Sequence, residues 1–295
     1  MIFDGIYGHD DVKQKLADAT SNNAVFHAYI FCGNSGIGKT SVARKFAKHL
    51  TGNSEPDMIT VTNERYGVKK ASFSVDTVRA ARLDMYVKPY IADKKVFIFP
   101  KADTMTVEAQ NALLTVFEEP PPYVVIILIS CGERAFLPTI RSRALAIRFS
   151  PLPDLIIAQY LKDKYNSSFD DITMRLCNGS IEMADRLMTN EGLRNSANDF
   201  AKVFKEFIGT DKLSIYKAAE FFEKEKDKYN TYFDVMSIML SDFLFEKDNA
   251  PGVNKGAMVE ILDNIEKTKG AIARHRNYNI AVNELLLGAW RALHG

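Results

Sequence analysis

The rhythm of apolar and polar positions changes near residue 150. Before that point, short near-continuous apolar runs alternate with segments whose apolar residues recur every three or four positions. The runs are Ala28–Cys32, Lys95–Phe99 and Val124–Ile129. They are rich in β-branched and aromatic residues and predict buried strands. The segments between them predict helices. One carries Val12 and Leu16, with Asp10 or Asp11 as its cap. A second carries Val42, Ala43, Phe46, Ala47 and Leu50 and stops at Gly52. A third is capped by Ser74, with Val75, Val78, Arg82 and Met85 along one side. A fourth carries Ala109, Ala112, Leu113, Val116 and Phe117, and the prolines at 120–122 must end it. Apolar strands alternating with helices predict an α/β domain over residues 1–150, its parallel sheet covered on both faces.

After Pro151-Leu-Pro153 no strong strand run returns. Residues 154–208 predict short helices and residues 211–295 longer ones, Tyr232–Phe245 among them. Leu262, Ile265, Ile272, Leu286, Leu287, Trp290 and Leu293 predict helix-packing faces, and Asp248–Val253 predicts a loop. The expected division is residues 1–150, 151–208 and 209–295, the last two all-helical.

Composition narrows the function classes. Of 295 residues, 46% are apolar and 25% charged, as in ordinary globular proteins. A net charge of +1 neither favours nor excludes a nucleic-acid partner. The three cysteines, Cys32, Cys131 and Cys177, are far apart, so they form no disulfide framework and no zinc pair. Cys32 and Cys131 lie in apolar surroundings that predict buried reduced thiols. No apolar run approaches the ~20 residues of a membrane helix. No basic stretch followed by an apolar one opens the chain, so a cytoplasmic protein is expected.

The chemistry centres on Gly33-Asn34-Ser35-Gly36-Ile37-Gly38-Lys39-Thr40. It fits G-x-x-x-x-G-K-[ST], the phosphate-binding loop. Chance alone yields that pattern in roughly one chain in a hundred of this length. Here it also lies between an expected strand and an expected helix, where backbone N–H groups can cradle phosphate oxygens. In that reading Lys39 reaches the β- and γ-phosphates and Thr40 ligates Mg²⁺. An ATPase also needs an acid at the end of a neighbouring strand to help hold Mg²⁺. The strand Val96–Phe99 ends instead in Pro100-Lys101-Ala102-Asp103. Asp103 and Glu108 are the substitutes within reach in sequence. Asp103 lies beyond the strand end, and Glu108 suits a helix N-terminus.

At this point the chain resembles a known family. The ordered matches are Phe3–His9, His27–Phe31 running into the loop, Ala102–Met105, Glu108–Leu114, Glu118–Pro121, Leu137–Ile140 and Ser142-Arg143, with Asn279–Asn283 near the end. These resemble the clamp-loader subunits of bacterial DNA polymerase III, most of all the delta-prime subunit. The resemblance implies an AAA+ P-loop domain, a helical lid domain and an all-α oligomerising collar. It implies that Phe3–His9 lies beside the adenine and that Ser130, to within one residue, is a polar sensor. It implies that Arg143, with Arg141 as the weaker candidate, is an arginine finger offered to a neighbouring subunit. The motor subunits of the family carry Asp-Glu where this chain has Pro100-Lys101, and an arginine where Gly179-Ser-Ile is followed by Glu182. A carboxylate there repels a γ-phosphate. Many relatives also carry a four-cysteine zinc module, and this chain has no cysteine between Cys32 and Cys131.

The expectation is therefore a nucleotide-binding, non-hydrolysing stator that binds ATP or ADP, with Mg²⁺ weak or absent and no zinc. It would sit in a hetero-pentamer with gamma/tau motor and delta subunits, and act with the sliding clamp on primed DNA. The alternatives are an active clamp-loader ATPase, in which Asp103 or another acid rescues Mg²⁺ binding, and a P-loop nucleotide kinase. A GTPase lacks support, because Asn254-Lys255 does not continue as a base-reading motif.

Overall fold

The computed structural model describes residues 2–68, 73–209, 213–245 and 255–294. The loop expected at Asp248–Val253 lies outside them. Packing divides the chain into two compact units. The first is Met1–Tyr160 together with Gly179–Glu182, and the second is Leu161–Asn178 together with Met183–Gly295.

The first unit is built on five parallel strands: β1 (Ala28–Cys32), β2 (Met58–Thr60), β3 (Lys95–Phe99), β4 (Val124–Ser130) and β5 (Leu145–Arg148). Their order across the sheet is β2-β3-β4-β1-β5. Successive side chains alternate between faces, so every second residue serves a different core. Tyr29, Phe31, Val96, Ile98, Val125 and Ile127 pack with α1 (Asp10–Ser21) and α2 (Lys39–Leu50). Ile30, Phe97, Phe99, Ile126 and Leu128 pack with α3 (Val75–Met85), α4 (Val107–Glu118) and α5 (Pro138–Arg141). This is the covered parallel sheet that the apolar runs predict.

The expected helices are present, with one correction at a cap. Ser74 does cap α3, its hydroxyl accepting the Thr77 N–H at 3.2 Å. Neither Asp10 nor Asp11 caps α1. The cap position belongs to His9, in the left-handed region at φ 57°, and both acids lie in the first turn. Without a side-chain cap, they still face the positive end of the helix.

The second unit is helical, with α6 (Asp154–Tyr165) leading into it. It comprises α7 (Asp171–Leu176), α8 (Ile181–Thr189) from Met183 onward, α9 (Glu191–Ile208), α10 (Leu213–Lys224), α11 (Tyr229–Phe245), α12 (Lys255–Ala273) and α13 (Tyr278–His294). Aromatic rings fill its centre. Phe200, Phe204 and Phe207 of α9 are fully buried. Phe200 meets Tyr232 at 4.7 Å and Phe222 at 5.5 Å, and Phe207 meets Trp290 edge-on at 5.5 Å. Each such ring buries 150–250 Å² as an order of magnitude, so these contacts dominate the packing of the unit. The face of α13 is shifted from expectation: Ala281, Val282, Leu285, Leu286 and Ala289 are buried, whereas Leu287 is exposed.

Candidate nucleotide-binding site

In an open parallel sheet, ligands bind beyond the carboxyl ends of the strands. The central strand β1 ends at Cys32, and the chain turns at once into Gly33. Asn34 and Ser35 lie exposed on the rim of the turn, while Ile37 is fully buried in the core shared with α1 and α2. That buried side chain anchors the loop. Gly38 is the cap residue of α2, Lys39 its first residue and Thr40 its second. The first N–H groups of a helix have no partner within it, so they and the loop face the same space.

Lys39 is buried, and its ammonium donates to the carbonyls of Gly33 at 2.6 Å and Asn34 at 2.5 Å. Burial lowers its pKa, against the opposing pull of Cys131, Asp103, Cys32 and Glu182. The ammonium is thus aimed across the loop, where a phosphate oxygen would meet it. Gly36 is required for its own reasons. Its φ is +75°, and a Cβ there would collide with Ser180 and Glu182. These features fit a nucleoside phosphate. The fit to Mg²⁺ is poorer, because Thr40 comes without a free strand-end acid. Pro100 and Lys101 follow β3 directly, and the Asp103 carboxylate accepts the Cys131 N–H at 3.0 Å. Among the described residues, no three His, Cys, Asp or Glu side chains are grouped to hold a metal.

Ser130 closes β4 and pairs in register with Cys32, so it stands beside the strand that feeds the loop. It is buried, and its hydroxyl donates to the Gly132 carbonyl at 3.2 Å. Cys32 is buried, and burial with the Glu133 carboxylate pushes its thiol up to about 11. Cys131 departs from expectation. It lies one residue past the end of β4 and is exposed.

Arg143 lies elsewhere. It follows α5 and precedes β5, whose first residue, Leu145, pairs with Tyr29 near the start of β1. The loop leaves the opposite end of β1. Five residues of strand at about 3.3 Å each separate the two ends by roughly 15 Å. Arg143 is half-exposed, lies 3.4 Å from Glu118 at the end of α4, and donates to the Thr139 carbonyl at 3.2 Å. The structure therefore gathers Gly33–Thr40 and Ser130 at one end of the sheet and puts Arg143 at the other.

Two contacts at the loop were not legible in the motif. The His9 ring meets the Ile37 carbonyl at 2.6 Å and packs edge-on against Phe149. Burial lowers its pKa, which favours the neutral ring with Nε2 as donor. The Glu182 N–H donates to the Gly36 carbonyl at 3.2 Å. The only sequence signals were the position of His9 in the opening segment and the unusual glutamate after Gly179-Ser-Ile.

Comparison with known proteins adds relationships of family and fold. A family described as "DNA polymerase III, delta subunit" matches residues 8–153. The chain is 27% identical over 226 residues to DNA polymerase III subunit tau/gamma of Haemophilus influenzae, covering 65% of this chain and 33% of that one. It is 31% identical over 172 residues to subunit gamma/tau of Mycobacterium tuberculosis, covering 51% of this chain and 29% of that one. The chain thus spans about a third of the length of these curated relatives. A gamma subunit-related protein of Thermotoga maritima shares the fold, with TM-score 0.55, 18% identity, 96% of this chain covered and 99% of that one.

Proposed function

We propose that this chain, whose residues 8–153 match the DNA polymerase III delta subunit family and which is similar to the gamma/tau subunits, is a delta-prime-like clamp-loader stator. It binds ATP or ADP in Gly33–Thr40, does not turn it over, and supplies Arg143 to the nucleotide site of a neighbouring motor subunit. One observation carries this reading. Arg143 sits at the end of β1 opposite its own loop, which supports a role at a site that belongs to another chain. An arginine finger given in trans is worth about 10³–10⁵ in rate. The chain's own site lacks the matching acids at Pro100 and Lys101.

The helices after residue 208 act as the oligomerising collar of a hetero-pentamer with gamma/tau and delta subunits. The assembly works in the cytoplasm on the sliding clamp and primed DNA. One observation favours a second reading, an active ATPase: Asp103 lies close enough for its charge to act on Lys39. The isolated protein separates the two. The stator reading expects measurable ATP or ADP binding with no hydrolysis above background. Steady turnover that vanishes in Lys39→Ala would establish the ATPase instead.

A further inference from the structure

We propose that Glu182 sets the ligand class of the loop, so that the site takes a nucleoside diphosphate in preference to a triphosphate. This inference rests on the nucleotide-binding reading above and makes it more specific. The segment Gly179–Glu182 packs with the first unit although it is distant in sequence. It is fixed at both ends by backbone contacts. At one end the Leu152 N–H donates to the Gly179 carbonyl at 3.1 Å. Gly179 has φ +68°, and a Cβ there would fall 2.6 Å from Pro151 and 2.8 Å from the Leu152 carbonyl oxygen, so only glycine permits the approach. At the other end the Glu182 N–H holds the Gly36 carbonyl.

The side chain follows the backbone. A Cβ on Gly36 would lie 2.8 Å from the Glu182 Cβ and 3.1 Å from its carboxylate oxygen Oε2. The carboxylate therefore rests against the fourth residue of the phosphate loop. Its charge reaches Lys39, and so does that of Asp103. Two phosphates can be met by Lys39 and the backbone N–H groups of the loop. A third adds a negative charge next to a carboxylate that is already negative. With screening close to that of bulk water, as suits an exposed carboxylate, one such repulsion at about 3–4 Å weakens binding by roughly fivefold to tenfold. Glu182 is exposed, so salt screens the effect.

The test measures ADP and ATP affinity of the full chain by calorimetry, with Mg²⁺ and with EDTA, for wild type, Glu182→Gln and Glu182→Ala. The wild type should prefer ADP by about fivefold to tenfold, and the preference should narrow as KCl is raised. Both variants should tighten ATP more than ADP and close the ratio to within about twofold. Thermal melts show whether the variants fold, and two different replacements guard against an artefact of either. Equal affinities in the wild type, or a preference that survives both replacements, would overturn the inference while leaving the nucleotide reading intact. No binding of either nucleotide by any form overturns both.

Discussion

At the scale of residues, the loop is held by one side chain at a position its motif leaves open and one outside it. Ile37 anchors it from below, and the His9 ring grips its carbonyl. Removing that grip should loosen the loop without unfolding the sheet. His9→Ala is expected to weaken nucleotide binding by about fivefold, the worth of one hydrogen bond of about 1 kcal/mol. His9→Gln, which keeps a donor, should recover part of the loss. Equilibrium titration of the three forms checks this, and unchanged affinity in His9→Ala would show that Ile37 suffices. The loop itself was legible in the sequence because its chemistry needs fixed residue types at fixed spacing. His9 was not, because its partner is a backbone carbonyl 28 positions away, and a carbonyl leaves no trace in a pattern of side chains. The exposure of Cys131 was missed for a related reason. The apolar run ends at Ile129 and β4 at Ser130, so Cys131 already lies beyond the strand.

At the scale of elements, one buried carboxylate ties two loops together. Asp57 accepts the Ser54 hydroxyl at 2.7 Å and the N–H groups of Tyr90, Ile91 and Ala92 at 2.6 to 2.9 Å. This pins the segment between α3 and β3, where Tyr90 and Ile91 stand exposed. Burial alone would raise its pKa, but the four donors outweigh burial and hold the carboxyl down at about 2, against a usual 3.8. The sign follows directly. A depressed carboxyl stabilises the fold above its unfolded pKa and loses that contribution as pH falls toward the folded one. Asp57→Asn should therefore destabilise the protein by about 1–3 kcal/mol at pH 7. The gap to wild type should close as pH drops from 3.8 toward 2. Urea melts across that range measure it, and a gap independent of pH would show that the charge is not what matters. The strands on either side of this point differed in legibility. β1, β3 and β4 announced themselves as buried runs. β2 has only three residues, and three of the four residues of β5 are exposed at the sheet edge, so neither leaves an apolar run to read.

At the scale of the whole molecule, the change of rhythm near residue 150 marks where strands give way to helices, but not how the chain packs. Gly179–Glu182 packs with the first unit, a return that no local pattern encodes. The rings of α9 interlock with those of α10 and α11, so α9 shares its core with the helices after residue 208. Point substitutions are therefore a cleaner probe of assembly than truncation. Among the described residues, Val259, Ile280 and Leu287 are large apolar side chains exposed on α12 and α13. If these helices form the collar, Leu287→Glu should weaken incorporation into the complex by about tenfold or more. Its melting temperature should barely move, since the residue is already in water. Co-elution with gamma/tau and delta subunits reads the outcome, and normal incorporation would place the assembly contacts elsewhere.

The central claim is that this chain acts on a site it does not contain. The direct measurement is the DNA- and clamp-stimulated ATPase of the reconstituted complex carrying Arg143→Ala, beside the same complex carrying Lys39→Ala in this subunit. Arg143→Ala should assemble normally and lose most of the stimulated rate, by 10²-fold or more if the arginine supplies a transition-state charge. Arg143→Lys should rescue poorly, because a point charge does not replace a planar fork. Lys39→Ala should do much less harm. A complex that hydrolyses ATP normally with Arg143→Ala, and fails with Lys39→Ala, would contradict the account and assign the turnover to this chain's own loop.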